Sequence, residues 1–435
     1  MRKFCCAIAV IVLCGAVLCS CQLQEVRQTN ETLEICSTSS TDFRFQAALK
    51  QYQELYPDVT VQITSESNPD IESSQAYYTK LASEIMGGKG PDLFVVNDSF
   101  WNVEKMMRQD IFADMQPYFD ADAFDWEPYN TAVMEAGVWE GKRYVIPLTY
   151  SIPVLITTQK AIDETGFDVG NCGDFYGFME ETQKIMDDPN QTRAVFRQSW
   201  TMKWFPQIAG ISYIDYDNLL IDPTAPGLAE GLAWCSDNFA EDLGDYNLYD
   251  LYAAASIWDG HALFEYPFSY GLKNGFMLNY AVLDTVDTGV MVPIRNLEGG
   301  INARVLDAVA VRANSPNLQN AYNFLKILLS PSLHTECVGN QTDLSVLNEA
   351  NWDYYRRHAE GYDFIQSYHE DFTSVDTIPE SAMAEYMGYA GEVDGAYFLD
   401  RSGFISAMFP YLYEGAPYEE TLTEAVAEVE KNLSE

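Results

Sequence analysis

The alternation of elements between residues 33 and 96 constrains the fold more than any other part of the chain. Leu33 and Ile35 alternate with polar residues, as in a half-buried strand. Asp42 then stands as a cap for a helix with apolar residues Phe45, Ala48, Leu49, Tyr52, Leu55 and Tyr56. Their spacing puts them on one face of a 3.6-residue period. Pro57 stops that helix, and Val59, Val61 and Ile63 alternate again. A second helix carries Tyr78, Leu81, Ala82 and Ile85 and ends at Gly87-Gly88. After Pro91-Asp92 the run Leu93 to Val96 is apolar throughout, the pattern of a parallel strand buried on both faces. Strand, helix, strand, helix, strand implies an α/β unit on a parallel sheet.

Later segments extend the pattern. Val138-Trp139 and Arg143 to Ile146 flank Glu140-Gly141-Lys142, a β-hairpin leading to Pro147. Pro153 cannot donate to a ladder, so the strand Val154 to Thr157 is expected at an edge or starting late. Ala161 to Gly166 reads as a short helix with a glycine stop. Val290 to Pro293 and Val305 to Val311 read as strands, and Ala321, Phe324, Leu325 and Leu328 mark a helix ending before Pro331. An amphipathic helix follows Pro417. Residues 335–400 are rich in Tyr, Asp and Glu and show no regular period. At 435 residues the chain exceeds what one small core needs, so at least two lobes are expected.

The first residues predict where the chain works. Arg2 and Lys3 precede an uncharged apolar run from Phe4 to Leu18, and Leu18-Cys19-Ser20-Cys21 closes it. That is the layout of a secretory signal peptide. Its ending resembles a bacterial lipobox, which makes Cys21 the lipidated first residue of the mature chain. Residues 1–20 are then signal peptide, 21–31 a lipid-anchored linker, and the protein sits on the extracytoplasmic face of the cell membrane, held by lipid alone.

Charge and cysteine content narrow the function. The chain holds 65 acidic and 25 basic residues, a net charge of −40. Losing Arg2 and Lys3, with no acid in the first 20 residues, takes this to −42. Such a surface repels phosphate backbones, so nucleic acid is not an expected partner. Nine cysteines fall to five after processing, and Cys36, Cys172, Cys235 and Cys337 lie too far apart for a zinc motif. They can form two disulfides or stay as four buried thiols. His261, His334, His358 and His369 show no metal-ligand spacing, so neither metal nor cofactor is expected. Gly-x-Ser-x-Gly, His-Glu-x-x-His and phosphate-loop motifs are absent, and no carboxylate pair stands in a catalytic motif, so the chain reads as a non-enzyme.

Taken in order, these pieces resemble the sugar-binding type (family 1) of extracellular solute-binding proteins, lipoproteins of bacterial ABC importers. The resemblance runs through residues 43–63, 77–98, 139–166, 258–271, 290–300 and 308–330. Its most specific part is Gly90-Pro91-Asp92 between helix and strand, with Gly141-Lys142-x-Tyr144-x-x-Pro147 about 50 residues on. Thr157-Thr158 replaces the family's usual Tyr-Asn pair, and Leu344 to Asn351 lacks its usual Pro-x-Arg, which leaves the solute open.

The resemblance implies a two-lobed periplasmic-binding-protein-like (type II) α/β fold with discontinuous lobes. The N-terminal lobe would comprise 32–147 and 304–346, and the C-terminal lobe 148–303 and 347–435. The chain would cross the hinge near Leu148, Ala303 and Leu347. A monomer would close on a small solute, a sugar or oligosaccharide, and deliver it to ABC permease subunits. Ligands of open α/β sheets bind off the carboxyl ends of strands, which singles out Asn97, Asp98 and Trp101. Amide and carboxylate suit sugar hydroxyls, and indole suits a pyranose face, although Asn97-Asp98-Ser99 can equally cap a helix. Tyr150, Trp200, Trp204, Glu265 and Tyr270 complete the candidate set. A polyamine would also suit an aromatic and acidic cleft; a secreted carbohydrate-active enzyme is the more distant alternative.

Overall fold

The computed structural model describes residues 32–65, 74–97, 102–196, 204–238, 257, 260–264, 271–337, 343–359 and 378–434. The opening alternation folds as its pattern requires. Strand β1 (Leu33–Ser37), helix α1 (Asp42–Leu55), strand β2 (Val61–Ser65), helix α2 (Ser74–Met86) and strand β3 (Leu93–Asn97) follow one another. β1 lies between β2 and β3 and runs parallel to both. Leu93, Phe94, Val95 and Val96 are buried, which accounts for a strand without alternation. Asp42 is not the cap: Thr41 holds that position, and Asp42 accepts a 3.0 Å bond from the Ser37 hydroxyl.

Strand β4 (Val145–Ser151) passes after Ile152-Pro153 into β5 (Val154–Thr158). Beyond them come β6 (Ala194–Phe196), β7 (Ala262–Phe264), β8 (Gly289–Pro293) and the 11-residue β9 (Ile301–Val311). Helix α3 (Leu318–Leu329), β10 (Leu344–Ser345), β11 (Val393–Tyr397) and helix α4 (Tyr418–Ser434) follow. The large sheet has the order β10-β4-β9-β3-β1-β2, with β11 also on β9. β9 is antiparallel to β3 and β4, so the sheet is mixed and not wholly parallel. Its register against β4 shifts on both sides of Asp307, and Pro147 sits opposite Ala308 at that shift, where a strand tolerates proline. β5 pairs with β8, and β6 with β7, outside the large sheet.

Two cores result. Under the large sheet, Phe45 and Tyr52 of α1 pack on Phe324 of α3, with ring centroids 5.9 and 5.5 Å apart. The other gathers Phe167, Phe178, Phe196, Phe264 and Trp234 around β6 and β7. Within the stretch 335–400, the described residues include β10, the helices Asn348–His358 and Glu380–Gly391, and β11. Their apolar residues are tyrosines mixed with alanines and methionines, so no aliphatic period marks them. Cys36, Cys172, Cys235 and Cys337 are all buried and in no disulfide, which decides between the two cysteine readings in favour of thiols. No helix among the described residues is long and apolar enough to cross a membrane.

Candidate functional site

The carboxyl ends of the parallel strands carry a band of hydroxyls and carboxylates. Beyond β1, the Thr38 hydroxyl lies 2.9 Å from that of Ser40 and 2.8 Å from that of Thr41. At the end of β3, the Asn97 amide donates to the Tyr78 hydroxyl over 3.3 Å. Asp307 of β9 faces Asn97 in register and accepts from Ser40 and Thr149, each at 3.4 Å. Arg44, in the first turn of α1, is 4 % exposed. Its buried Nη1 has no hydrogen-bond partner among the described residues, and Asp307 and Asp343 attract it from a distance. Desolvation there weakens its hold on the proton, and the two aspartates oppose that.

β9 connects this band to the second half of the site. Ile301, Ala303 and Val305 are buried, while Asn302, Arg304, Leu306 and Asp307 are half-buried. The alternation gives β9 one open face, and the register shift at Asp307 keeps that residue on it. Asn302 and Asp307 are five positions apart, a span of about 17 Å in extended chain. The Arg304 guanidinium lies 4.5 Å over the centroid of Trp204.

At the Asn302 end a cleft of about 200 Å³ opens. Its walls come from four separate stretches of chain. Glu104 enters from the helix Val103–Arg108 that follows β3, Gln207, Tyr213 and Tyr216 from the segment beyond Trp204, and Tyr397 and Asp400 from the end of β11. The Gln207 carbonyl accepts from the Asn302 amide at 3.0 Å, fixing β9 to the far wall. Tyr213 donates to Asp400 at 2.5 Å, and the Ser402 hydroxyl adds a 2.8 Å bond, so that carboxylate is occupied. Burial and the Asp400 charge push the Tyr213 hydroxyl well above its ordinary pKa, so it stays a donor. Burial also raises the Glu104 carboxyl, with Arg108 opposing and Asp400 adding to the shift. Hydroxyl, amide and carboxylate groups against tyrosine rings form a surface for a small polar solute with an apolar face.

A sequence profile for bacterial extracellular solute-binding proteins matches residues 39–333. The chain belongs to that family. No curated protein sequence matches it. Solved structures agree in fold at low identity. The sugar-binding protein MalE from Xanthomonas citri is 14% identical with a TM-score of 0.64, over 93% of this chain and 98% of that one. The cyclic alpha-maltosyl-1,6-maltose binding protein from Arthrobacter globiformis is 17% identical with a TM-score of 0.56, over 93% and 99%. The substrate-binding protein Lmo0181 from Listeria monocytogenes, solved with cycloalternan, gives 15% and 0.54 over 93% and 99%. This solute-binding protein therefore has their two-lobed α/β architecture, and the cleft joins segments that the sequence keeps far apart.

The expected site residues divide. Asn97 lies on the hydroxyl band, and Trp204 borders the open face of β9. Tyr150 is fully enclosed, its hydroxyl accepting from Asn130 at 3.3 Å, so it braces β4 from within. Asp98, Trp101, Trp200, Glu265 and Tyr270 lie outside the described residues, as does Cys21. Sequence reasoning missed Asn302, Asp307, Glu104, Tyr213 and Asp400. The first two had a signal: polar residues alternate from Asn302, and Asp307 interrupts an apolar run. The others sit in segments without a period.

Proposed function

We propose that this lipid-anchored solute-binding protein captures a sugar or oligosaccharide between its lobes and delivers it to an ABC permease. The observation that carries the reading is the open face of β9, which joins the hydroxyl band at Asn97 and Asp307 to the tyrosine-walled cleft at Asn302. Sugar hydroxyls need paired donors and acceptors, and the band supplies both. Pyranose C–H faces need flat apolar surface, which Trp204, Tyr213 and Tyr216 offer.

The chain leaves the large sheet between β4 and β5 and returns between β8 and β9, with a further passage beside β10. These passages fit a hinge near Leu148, Ala303 and Leu347, dividing lobes of 32–147 with 304–346 and of 148–303 with 347–435. A ligand closes such a hinge only by its difference in affinity for the closed and open states. Asn97 and Trp204 are retained as contacts, and Asp98, Trp101, Trp200, Glu265 and Tyr270 stay in the proposed set. Cys21 is the proposed lipidation site, and binding needs no catalytic residue, cofactor or oligomer.

A melting-shift screen of the mature chain against mono- and oligosaccharides, amino acids and polyamines tests the reading. At a ligand concentration about 100 times Kd, linkage adds about 2.7 kcal/mol to the stability of the bound state. At least one saccharide is expected to raise Tm by about 3 °C. A response confined to amino acids would overturn the carbohydrate assignment.

A further inference from the structure

Among the described residues, the cleft at Asn302 is lined by two carboxylates, Glu104 and Asp400, and by no lysine or arginine. The two acids differ in their surroundings. Asp400 receives the Tyr213 hydroxyl and both the amide and hydroxyl of Ser402. No described residue hydrogen-bonds or ion-pairs with the Glu104 carboxylate. The cation attracting it across one helical turn, Arg108, is committed elsewhere: its guanidinium binds Asp217 at 2.7 Å and lies 3.6 Å over the Trp139 ring. Glu104 therefore faces the cleft as an acceptor without a counter-charge, and burial already strains its charged form.

A neutral hydroxyl can satisfy the lone pairs of that carboxylate but leaves its charge uncompensated. A protonated amine satisfies both. Tyr216 lines the same cleft and already meets a cation, with Arg108 5.8 Å from its ring centroid. The excess of 40 negative charges over the whole chain also concentrates cations near its clefts. We propose that the cleft at Glu104 binds an ammonium group, and that the solute is an amino sugar or an oligosaccharide ending in one. This rests on the carbohydrate reading above and sharpens it. The ammonium would sit against Glu104 with its ring carbons toward Tyr213 and Tyr216, while the remaining hydroxyls face Gln207 and Asn302.

Calorimetric titration of the mature protein with three β-1,4 disaccharides separates the possibilities: the glucosamine dimer, its N-acetylated counterpart and cellobiose. The glucosamine dimer is expected to bind at least about tenfold tighter than either neutral sugar. That preference should shrink between about 50 and 500 mM NaCl, because it rests on charge. Glu104→Gln should remove the preference while leaving Tm no lower than in the parent, since it relieves a half-buried charge that no described residue pairs. Equal or tighter binding of the neutral sugars, or an unchanged preference in Glu104→Gln, would overturn the inference and leave the carbohydrate reading standing. Spermidine binding that Glu104→Gln abolishes, with no saccharide bound, would overturn the amino-sugar assignment together with the carbohydrate reading. Failure of every amine probe to bind would overturn the inference outright.

Discussion

Replacing Asp92 with alanine is expected to cost about 4 kcal/mol of stability and to lower Tm by about 5 °C. Asp92 is 4 % exposed at the start of β3, in the Gly-Pro-Asp block. Oδ2 accepts the Glu34 amide and the Asn317 side-chain amide, both at 3.0 Å. Oδ1 accepts the Ser315 hydroxyl at 2.7 Å and lies 3.4 Å from Arg312. One carboxylate thus joins β1, β3, the end of β9 and the approach to α3. Alanine would leave several buried donors and a guanidinium unsatisfied together, which costs far more than any one bond contributes. Asp92 lies at the opposite end of β3 from Asn97, so the account predicts ligand affinity within about twofold of the parent at a temperature where both are folded. Thermal melts and titration of the variant check both halves. A stable variant with lost binding would contradict the assignment.

Arg143→Ala should lose about 3 kcal/mol, with Arg143→Lys recovering little of it. Arg143 occupies the first variable position of the Gly141-Lys142-x-Tyr144-x-x-Pro147 motif and is 4 % exposed. Its guanidinium donates to Gln116 at 2.9 Å, to the Met134 carbonyl at 2.7 Å and to Glu135 at 2.8 Å. The same plane lies 4.3 Å over Trp126. A lysine ammonium is a single point and cannot make the three-way fork or stack. Denaturant titration of both variants checks the prediction; a lysine variant as stable as the parent would show that charge alone is needed.

These two residues also show how much the sequence reveals. The motifs that mark the family are structural fasteners: Asp92 ties strand ends together, and Arg143, Lys142 and Tyr144 tie the hairpin to Gln116 and Asp110. They make the fold legible because each is a short run of residues that fixes strand ends or a hairpin in place. The contacts to a solute are a different matter. Tyr213, Tyr216 and Asp400 reach the cleft from irregular segments about 190 residues apart in the chain, and no period or motif flags them. Asn302 and Asp307 were readable in principle, because a strand with one open face writes its alternation into the sequence. Tyr150 lay in the expected place along the chain, but a side chain inside β4 points into the core.

Small-angle X-ray scattering of the mature protein with and without its best-binding saccharide tests the central claim most directly. The account predicts a smaller radius of gyration at saturation, as lobes that were apart come together on the solute. A scattering curve unchanged by a saturating saccharide would show that no jaw closes, and the proposed capture mechanism would fall.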